Sequence, residues 1–445
     1  MKYVCPPAEI ELYVDGFDKL DLLDRKKTGE KLSQLVEKIQ DPFVIAVDGQ
    51  WGSGKSFFLR CWVGAHSLEN GGSAKTVYID AFEHDFMEEP LVALTATISK
   101  RLEGDPEASK IWKSAKFAAA KLWRPAARIG LATATAGLTE VVNIVADAAV
   151  ESTSAEISKQ VDNFWKKEEG KIAAMRQFRE ALKKLTSDAE HDDARPLVVV
   201  IDELDRCRPD FALSMLETIK HFFSVPNVHF VLGVNLAELE NSVRTRYGNS
   251  VDARNYLQKF IDISMTLPVA VEVNGYDSAM SHRFFSIKAV EMGLDAKMIE
   301  DVLFQLKHVP NFKTVTLRTI QKILTEMALF PLPDGGFERF SWGYKFLMSG
   351  LIIQKHVSKD FYVKALNGTL TMEDVDKDFG VALLTGEDDT RIREVINHVW
   401  SSCLQPGSTD EDRDWGNIWG HTGRRLSAKT IQNICQEYLE AFRLA

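Results

Sequence analysis

Residues 43–59 read FVIAVDGQWGSGKSFFL, and this stretch restricts the fold more than any other. The apolar run Phe43 to Val47 has the composition of a buried strand. It breaks at Gly49 into a glycine-rich turn, and helix-prone residues follow from Lys55. The octapeptide Gly49-Gln50-Trp51-Gly52-Ser53-Gly54-Lys55-Ser56 fits G-x-x-x-x-G-K-[ST] in full, the phosphate-binding (Walker A) loop. Glycines let the backbone curl so that its N–H groups converge on an anion. The helix that follows presents its positive N-terminal end to the same charge. In this pattern Lys55 reaches the β/γ-phosphates and the Ser56 hydroxyl ligates Mg²⁺. The eight loop residues and the adjoining Phe57 are therefore the candidate nucleotide-binding set.

A second apolar, β-branched run, Leu197 to Ile201, ends at Asp202-Glu203-Leu204-Asp205-Arg206. A buried strand that stops at Asp-Glu is the Walker B pattern. Asp202 is expected in the Mg²⁺ shell. Glu203 is expected to polarise the attacking water, since a carboxylate beside the metal aspartate reaches the γ-phosphate side. Val228 to Val234 reads as a third buried strand ending on Asn235. That side chain either senses the γ-phosphate or caps the helix from Leu236, and the two roles are compatible. Thr76 to Ala81 reads as another strand. At its exit Glu83 and Asp85 either face the ligand crevice or form a surface acidic cluster. Phe260 to Leu267, closed by Pro268, is the last expected strand. Arg244, Arg246 and Arg254 precede it. One of them could reach a neighbouring subunit's γ-phosphate as a finger, although each singly reads as surface charge.

Around these strands the periodicity is helical. Leu32, Leu35, Val36 and Ile39 mark one face of an amphipathic helix, and Arg25, Lys26 and Lys27 ahead of it either approach the nucleotide or, as the commoner outcome, form a solvated charge run. Residues 103–195 look inserted. Within them Lys110 to Arg128 interleaves basic residues with Trp112, Phe117 and Trp123, a candidate membrane-surface or nucleic-acid face. The Ala- and Val-rich stretch from Ile129 to Val150 is interrupted by Glu140, Asn143 and Asp147. It reads as a small-residue helix packed in the protein rather than as a membrane span. Ser158 to Leu185 reads as a charged helical arm. From Val269 onward the chain is expected to be mostly helical, with a breaker at Pro331 to Gly336. Gly407 to Asp414 reads as an exposed acidic loop.

Composition narrows the partners. The 445 residues carry a formal net charge of −10, which disfavours a protein that coats nucleic acid. The five cysteines (Cys5, Cys61, Cys207, Cys403 and Cys435) are scattered and lack C-x-x-C, as expected in a reducing cytosol. The ten histidines form no H-E-x-x-H cluster, so no protein-only metal site is expected. Met1 to Gln40 is too polar for a signal peptide.

Several features together resemble the KAP family of P-loop NTPases. They are Trp51 within the loop, Asp205-Arg206-Cys207 followed by Pro209, and the strand Phe230 to Asn235. They also include Tyr256-Leu257-x-Lys259-Phe-Ile before Leu267-Pro268, and the Asp24-Arg25 lead-in. Arg318, in Thr316-Leu317-Arg318-Thr319-Ile320, resembles the family's helical-lid arginine, which adds it to the nucleotide-binding set. The resemblance implies a three-layer α/β/α domain with a parallel sheet of the additional-strand (ASCE) type. A helical insert and an all-helical C-terminal region would complete the chain. The expected division is 1–102 and 196–268 for the two halves of the NTPase core, 103–195 for the insert, 269–335 for a helical lid and 336–445 for a C-terminal helical domain. The resemblance further implies a Walker-type, Mg²⁺-dependent ATPase; a cytoplasmic switch or oligomeric motor is the leading expectation for it. Catalysis would rest on Glu203, Lys55 and Asn235, and the metal on Ser56 and Asp202. Family members act in phage exclusion and in signalling at membranes. Self-association or a protein partner at the C-terminal helices is the expected mode of assembly. A non-hydrolysing scaffold and a nucleic-acid-stimulated ATPase are the alternatives.

Overall fold

The computed structural model describes residues 4, 9–87, 89–122, 157–187, 196–268, 270–273, 276–313, 315–405 and 428–440. Five parallel strands form its central sheet: β1 (Phe43–Asp48), β2 (Lys75–Asp80), β3 (Leu197–Asp202), β4 (Val228–Val234) and β5 (Ile263–Thr266). Their spatial order is β2-β3-β4-β1-β5. Strand β4 lies between the Walker A strand β1 and the Walker B strand β3, which is the additional-strand arrangement. The register aligns Asp48 with Val234, Gly233 with Asp202, and Asp202 with Asp80. All the acidic strand ends therefore meet at one edge, the carboxyl edge where ligands bind in open α/β sheets.

The sheet is buried on both faces, as the unbroken apolar runs require. Side chains alternate along each strand. Val198, Val200, Ile45 and Val47 pack on one side with the P-loop helix (Lys55–Leu68) and the N-terminal helix (Lys26–Lys38). Val199, Ile201, Phe230 and Leu232 pack on the other with the helices Pro90–Leu102 and Pro209–Phe222.

The insert joins this second face. Its helix Pro106–Leu122 lies against the 30-residue helix Ile157–Thr186. Trp112 is 1% exposed. Its ring lies 5.7 Å from that of Phe178, and its indole N–H donates to the Thr95 carbonyl at 3.2 Å. The expected basic-aromatic face is thus corrected at its best-placed ring, because apolar burial takes Trp112 into the core. Lys110, Lys113 and Phe117 remain on the outside. Trp123, Arg124, Arg128 and the stretch from Ile129 to Val150 lie outside the described residues, as does the acidic loop from Gly407 to Asp414. Among the described residues no helix is long and apolar enough to cross a membrane.

After β5 the chain is mostly helical, as expected, but one short hairpin precedes the helices. Strands β6 (Ala270–Val273) and β7 (Tyr276–Ala279) form an antiparallel pair. The intervening Asn274-Gly275 is the favoured two-residue hairpin sequence, a signal the helical reading passed over. The helices from Met280 onward share one core that extends to Leu439. The breaker interrupts the chain but not this core: Phe330 and Phe337, on either side of it, stand edge to face at 6.0 Å.

Candidate functional site

The loop after β1 takes the shape its glycines permit. Gly52 (φ +83°) and Gly54 (φ +85°) are left-handed, a region that costs other residues strain. A Cβ on Gly52 would lie 2.7 Å from the Arg318 Cβ, and one on Gly54 would lie 2.8 Å from Arg25 Nη1. The loop is therefore held closely between the N-terminal segment and the helix Leu317–Leu329, the expected lid helix. The Leu317 N–H donates to the Gly52 carbonyl at 3.0 Å. Thr316 caps that helix by accepting from the Thr319 N–H at 3.2 Å. Arg318 thus stands at the loop.

Lys55 begins the P-loop helix and is buried. Its ammonium donates to the Gly49 and Gln50 carbonyls. Burial lowers its pKa, and the charges of Asp205, Asp202 and Asp48 oppose that shift. The next residue brings the two halves of the site together: the Ser56 hydroxyl donates to Glu203 Oε1 at 3.3 Å.

Asp202, at the end of β3, is 1% exposed. The Tyr78 hydroxyl donates to its Oδ2 at 2.8 Å, and the Glu203 N–H donates to its Oδ1 at 2.9 Å. Burial pushes this carboxyl above the usual range, while the Tyr78 and Ser56 hydroxyls hold it down. Gly233 makes room for it, since a Cβ there would lie 2.4 Å from Asp202 Oδ1.

Glu203 adopts φ +58°, an unusual left-handed geometry for a residue with a side chain. The turn aims its carboxylate back at Ser56, and Arg206 Nη1 pairs with its Oε2 at 2.9 Å. Burial raises the Glu203 pKa, Arg206 lowers it, and Asp80 and Asp202 add to the rise. On the same turn Asp205 accepts from the Trp51 indole N–H at 2.6 Å. Trp51 thereby ties the phosphate loop to the Walker B turn, a pairing across 154 positions that no local pattern marks.

These groups border a cleft of about 330 Å³. Trp51, Gly52, Gly54, Lys55, Ser56, Phe57, Asp202, Glu203 and Arg318 all line it, and Leu22, Leu23 and Phe284 add an apolar wall. Gly49, Gln50, Ser53 and Asn235 belong to the same edge but are not among the lining residues. Asn235 follows β4 directly, beside the Gly49 N–H, which donates to the Val234 carbonyl at 3.2 Å. Its side chain makes no capping bond. Asp48 takes that role, accepting from the Leu236 N–H at 2.9 Å, so the capping alternative for Asn235 is corrected.

Other expected residues lie elsewhere. Glu83 is exposed, and Asp85 accepts from the Arg208 N–H at 3.1 Å, away from the cleft. Arg244 pairs with Glu240 at 2.8 Å and Arg246 with Asp210 at 3.3 Å, while Arg254 is exposed. Arg25 is not a solvated charge. It is 4% exposed and donates to the Ser53 and Gly54 carbonyls, because the N-terminal segment folds against the loop.

The residues fit a Mg²⁺–nucleotide. Ser53 Oγ is buried without a protein partner. Ser56 and Asp202 offer the hard oxygen donors that Mg²⁺ takes, and Lys55 supplies positive charge beside them.

No curated protein matches the chain. Among solved structures it is similar to the Aeropyrum pernix ORC2 protein in its ADPNP–ADP complexes, at 12% identity over 94% of each chain with a TM-score of 0.35. It is also similar to the ADP form of that protein, at 12% identity over 84% of this chain and 93% of that one, with a TM-score of 0.33. The model of the KAP family P-loop domain matches residues 25–330, more than half of the sequence, and the chain therefore belongs to the KAP family of P-loop NTPases.

Proposed function

We propose that this chain binds ATP with Mg²⁺ and hydrolyses it, working as a nucleotide-driven switch or oligomeric motor. One observation carries the reading: the Ser56 hydroxyl lies 3.3 Å from Glu203 Oε1, with Asp202 adjoining both. Walker A and Walker B groups that are 147 residues apart thus share one spot. Lys55 and the loop amides hold the phosphates. Ser56 and Asp202 hold the Mg²⁺, which when bound neutralises charge on the β- and γ-oxygens. Glu203 orients the attacking water and accepts its proton. Asn235 senses the γ-phosphate from the end of β4, and Arg318 carries its presence to the lid helix. Most of the rate comes from positioning and charge stabilisation.

The Arg206–Glu203 ion pair at 2.9 Å favours a second reading, a nucleotide-binding scaffold that turns over little until a partner frees Glu203. The divisions at 102, 195 and 268, a subdivision at 335 of the helical region that shares one core, assembly through the C-terminal helices and a cytoplasmic setting are proposals read from the sequence, and a role in antiphage defence rests on the family resemblance alone. Phosphate release from ATP, measured with Mg²⁺ and again with EDTA, tests the leading reading. Metal-dependent release supports hydrolysis. Tight ATP binding with no release supports the scaffold.

A further inference from the structure

We propose that Arg25 is the positioning residue that turns the phosphate loop's amides toward the nucleotide, an inference that rests on the nucleotide-binding reading above. Arg25 immediately precedes the helix Lys26–Lys38 and does not line the cleft. Its Nη2 donates to the Ser53 carbonyl at 2.8 Å and its Nη1 to the Gly54 carbonyl at 3.2 Å. In a trans peptide a carbonyl and the N–H that follows it point in opposite directions. Pinning these two carbonyls therefore sets the N–H groups of Gly54 and Lys55 on the side away from Arg25. These are the amides that lead into the P-loop helix, where an anion is held.

The neighbouring carbonyls are pinned by other means. Gln50 accepts from the Ser53 N–H at 3.2 Å, and Gly52 accepts from the Leu317 N–H at 3.0 Å. The Gly54 carbonyl also accepts from the Phe58 N–H of the P-loop helix at 3.0 Å, so the Ser53 carbonyl, and with it the Gly54 N–H, is the part of the loop that relies on the guanidinium. Its fork spans two successive carbonyls, which an ammonium cannot do in the same geometry. The close approach also explains Gly54, where any Cβ would press on Nη1 at 2.8 Å.

Arg25 is not simply filler. Burial lowers its pKa to about 10, opposed by Asp21, so it is charged at neutral pH. Its Nε is buried without a partner. An apolar side chain would fill this volume without the desolvation cost of a buried guanidinium.

Equilibrium binding of ATP and of ADP, each with Mg²⁺, to the wild type, Arg25→Ala and Arg25→Lys tests the role. Arg25→Ala should weaken both nucleotides about ten- to hundredfold, the scale of losing hydrogen bonds from a charged donor. The ATP-to-ADP affinity ratio should stay constant, because both ligands carry the phosphates nearest these amides. Arg25→Lys should fall between the wild type and Arg25→Ala. Wild-type affinity in both variants overturns the proposal, even if their melting temperatures drop, since that pattern marks a purely structural residue. If Arg25→Ala does not fold, Arg25→Lys decides alone: weakened binding supports the role and unchanged binding overturns it. A wild type that binds neither nucleotide refutes the nucleotide reading itself, and the role of Arg25 falls with it.

Discussion

Gly233→Ala tests whether Asp202, the proposed metal ligand, is placed by the strand beside it. Gly233 pairs with Asp202 across β4 and β3. A Cβ built on it would lie 2.4 Å from Asp202 Oδ1 and 2.5 Å from a Leu59 methyl. Both distances are well inside van der Waals contact, so the added methyl cannot be accommodated without movement. Leu59 is fully buried on the P-loop helix and has no room to withdraw. The carboxylate must then swing, which strains the bonds from the Tyr78 hydroxyl at 2.8 Å and the Glu203 N–H at 2.9 Å. Overpacking of this kind costs about 1–3 kcal/mol. Because the displaced group is a proposed metal ligand, function should suffer more than folding. Phosphate release titrated with Mg²⁺ is the assay. The variant should need about tenfold or more Mg²⁺ for half-maximal release, as 1.4 kcal/mol of lost ligation corresponds to a factor of ten. Nucleotide binding without metal should change little. Wild-type release with an unshifted Mg²⁺ midpoint would refute the reasoning.

Two further outcomes follow from buried ionisable groups. The folded-state pKa of Asp202 is raised by burial, so the ionised form destabilises the nucleotide-free fold. That cost is absent below the ordinary carboxylate range and grows as pH rises through the raised value. Asp202→Asn should therefore raise the melting temperature at neutral pH while abolishing phosphate release; a lower melting temperature would contradict the burial argument. His282 shows the opposite sign. Burial lowers its pKa from 6.5 to about 4, so the folded state binds fewer protons than the unfolded one between those values. Stability should fall as pH drops through that window, by up to about 3 kcal/mol from this group. Denaturant midpoints at several pH values check it, and His282→Asn should flatten the profile.

Sequence alone carried the sheet and the chemistry of its edge. Phe43 to Val47, Leu197 to Ile201 and Val228 to Val234 are apolar runs too short for helices, and each stops at a polar residue, so strand ends and candidate site residues were legible together. What stayed hidden depends on long-range pairing. Asp48 caps a helix whose first amide lies 188 positions away, and Trp51 meets Asp205 across 154 positions. Tyr78 meets Asp202 only because β2 lies beside β3 in the sheet. Gly233 carried a usable signal, because glycine inside a buried strand marks a close approach. For Arg25 the sequence leaves open approach to the nucleotide or a solvated charge run, because its two acceptors are main-chain carbonyls that no side-chain pattern reveals. The hairpin of β6 and β7 was lost among helical neighbours although Asn274-Gly275 marked it.

The central claim is that Glu203 activates water for ATP hydrolysis on a site built by Lys55, Ser56 and Asp202. Glu203→Gln, assayed for ATP binding and phosphate release in the same preparation, tests it most directly. The account predicts ATP affinity close to that of the wild type and phosphate release reduced to background. A Glu203→Gln protein that releases phosphate at the wild-type rate would contradict it.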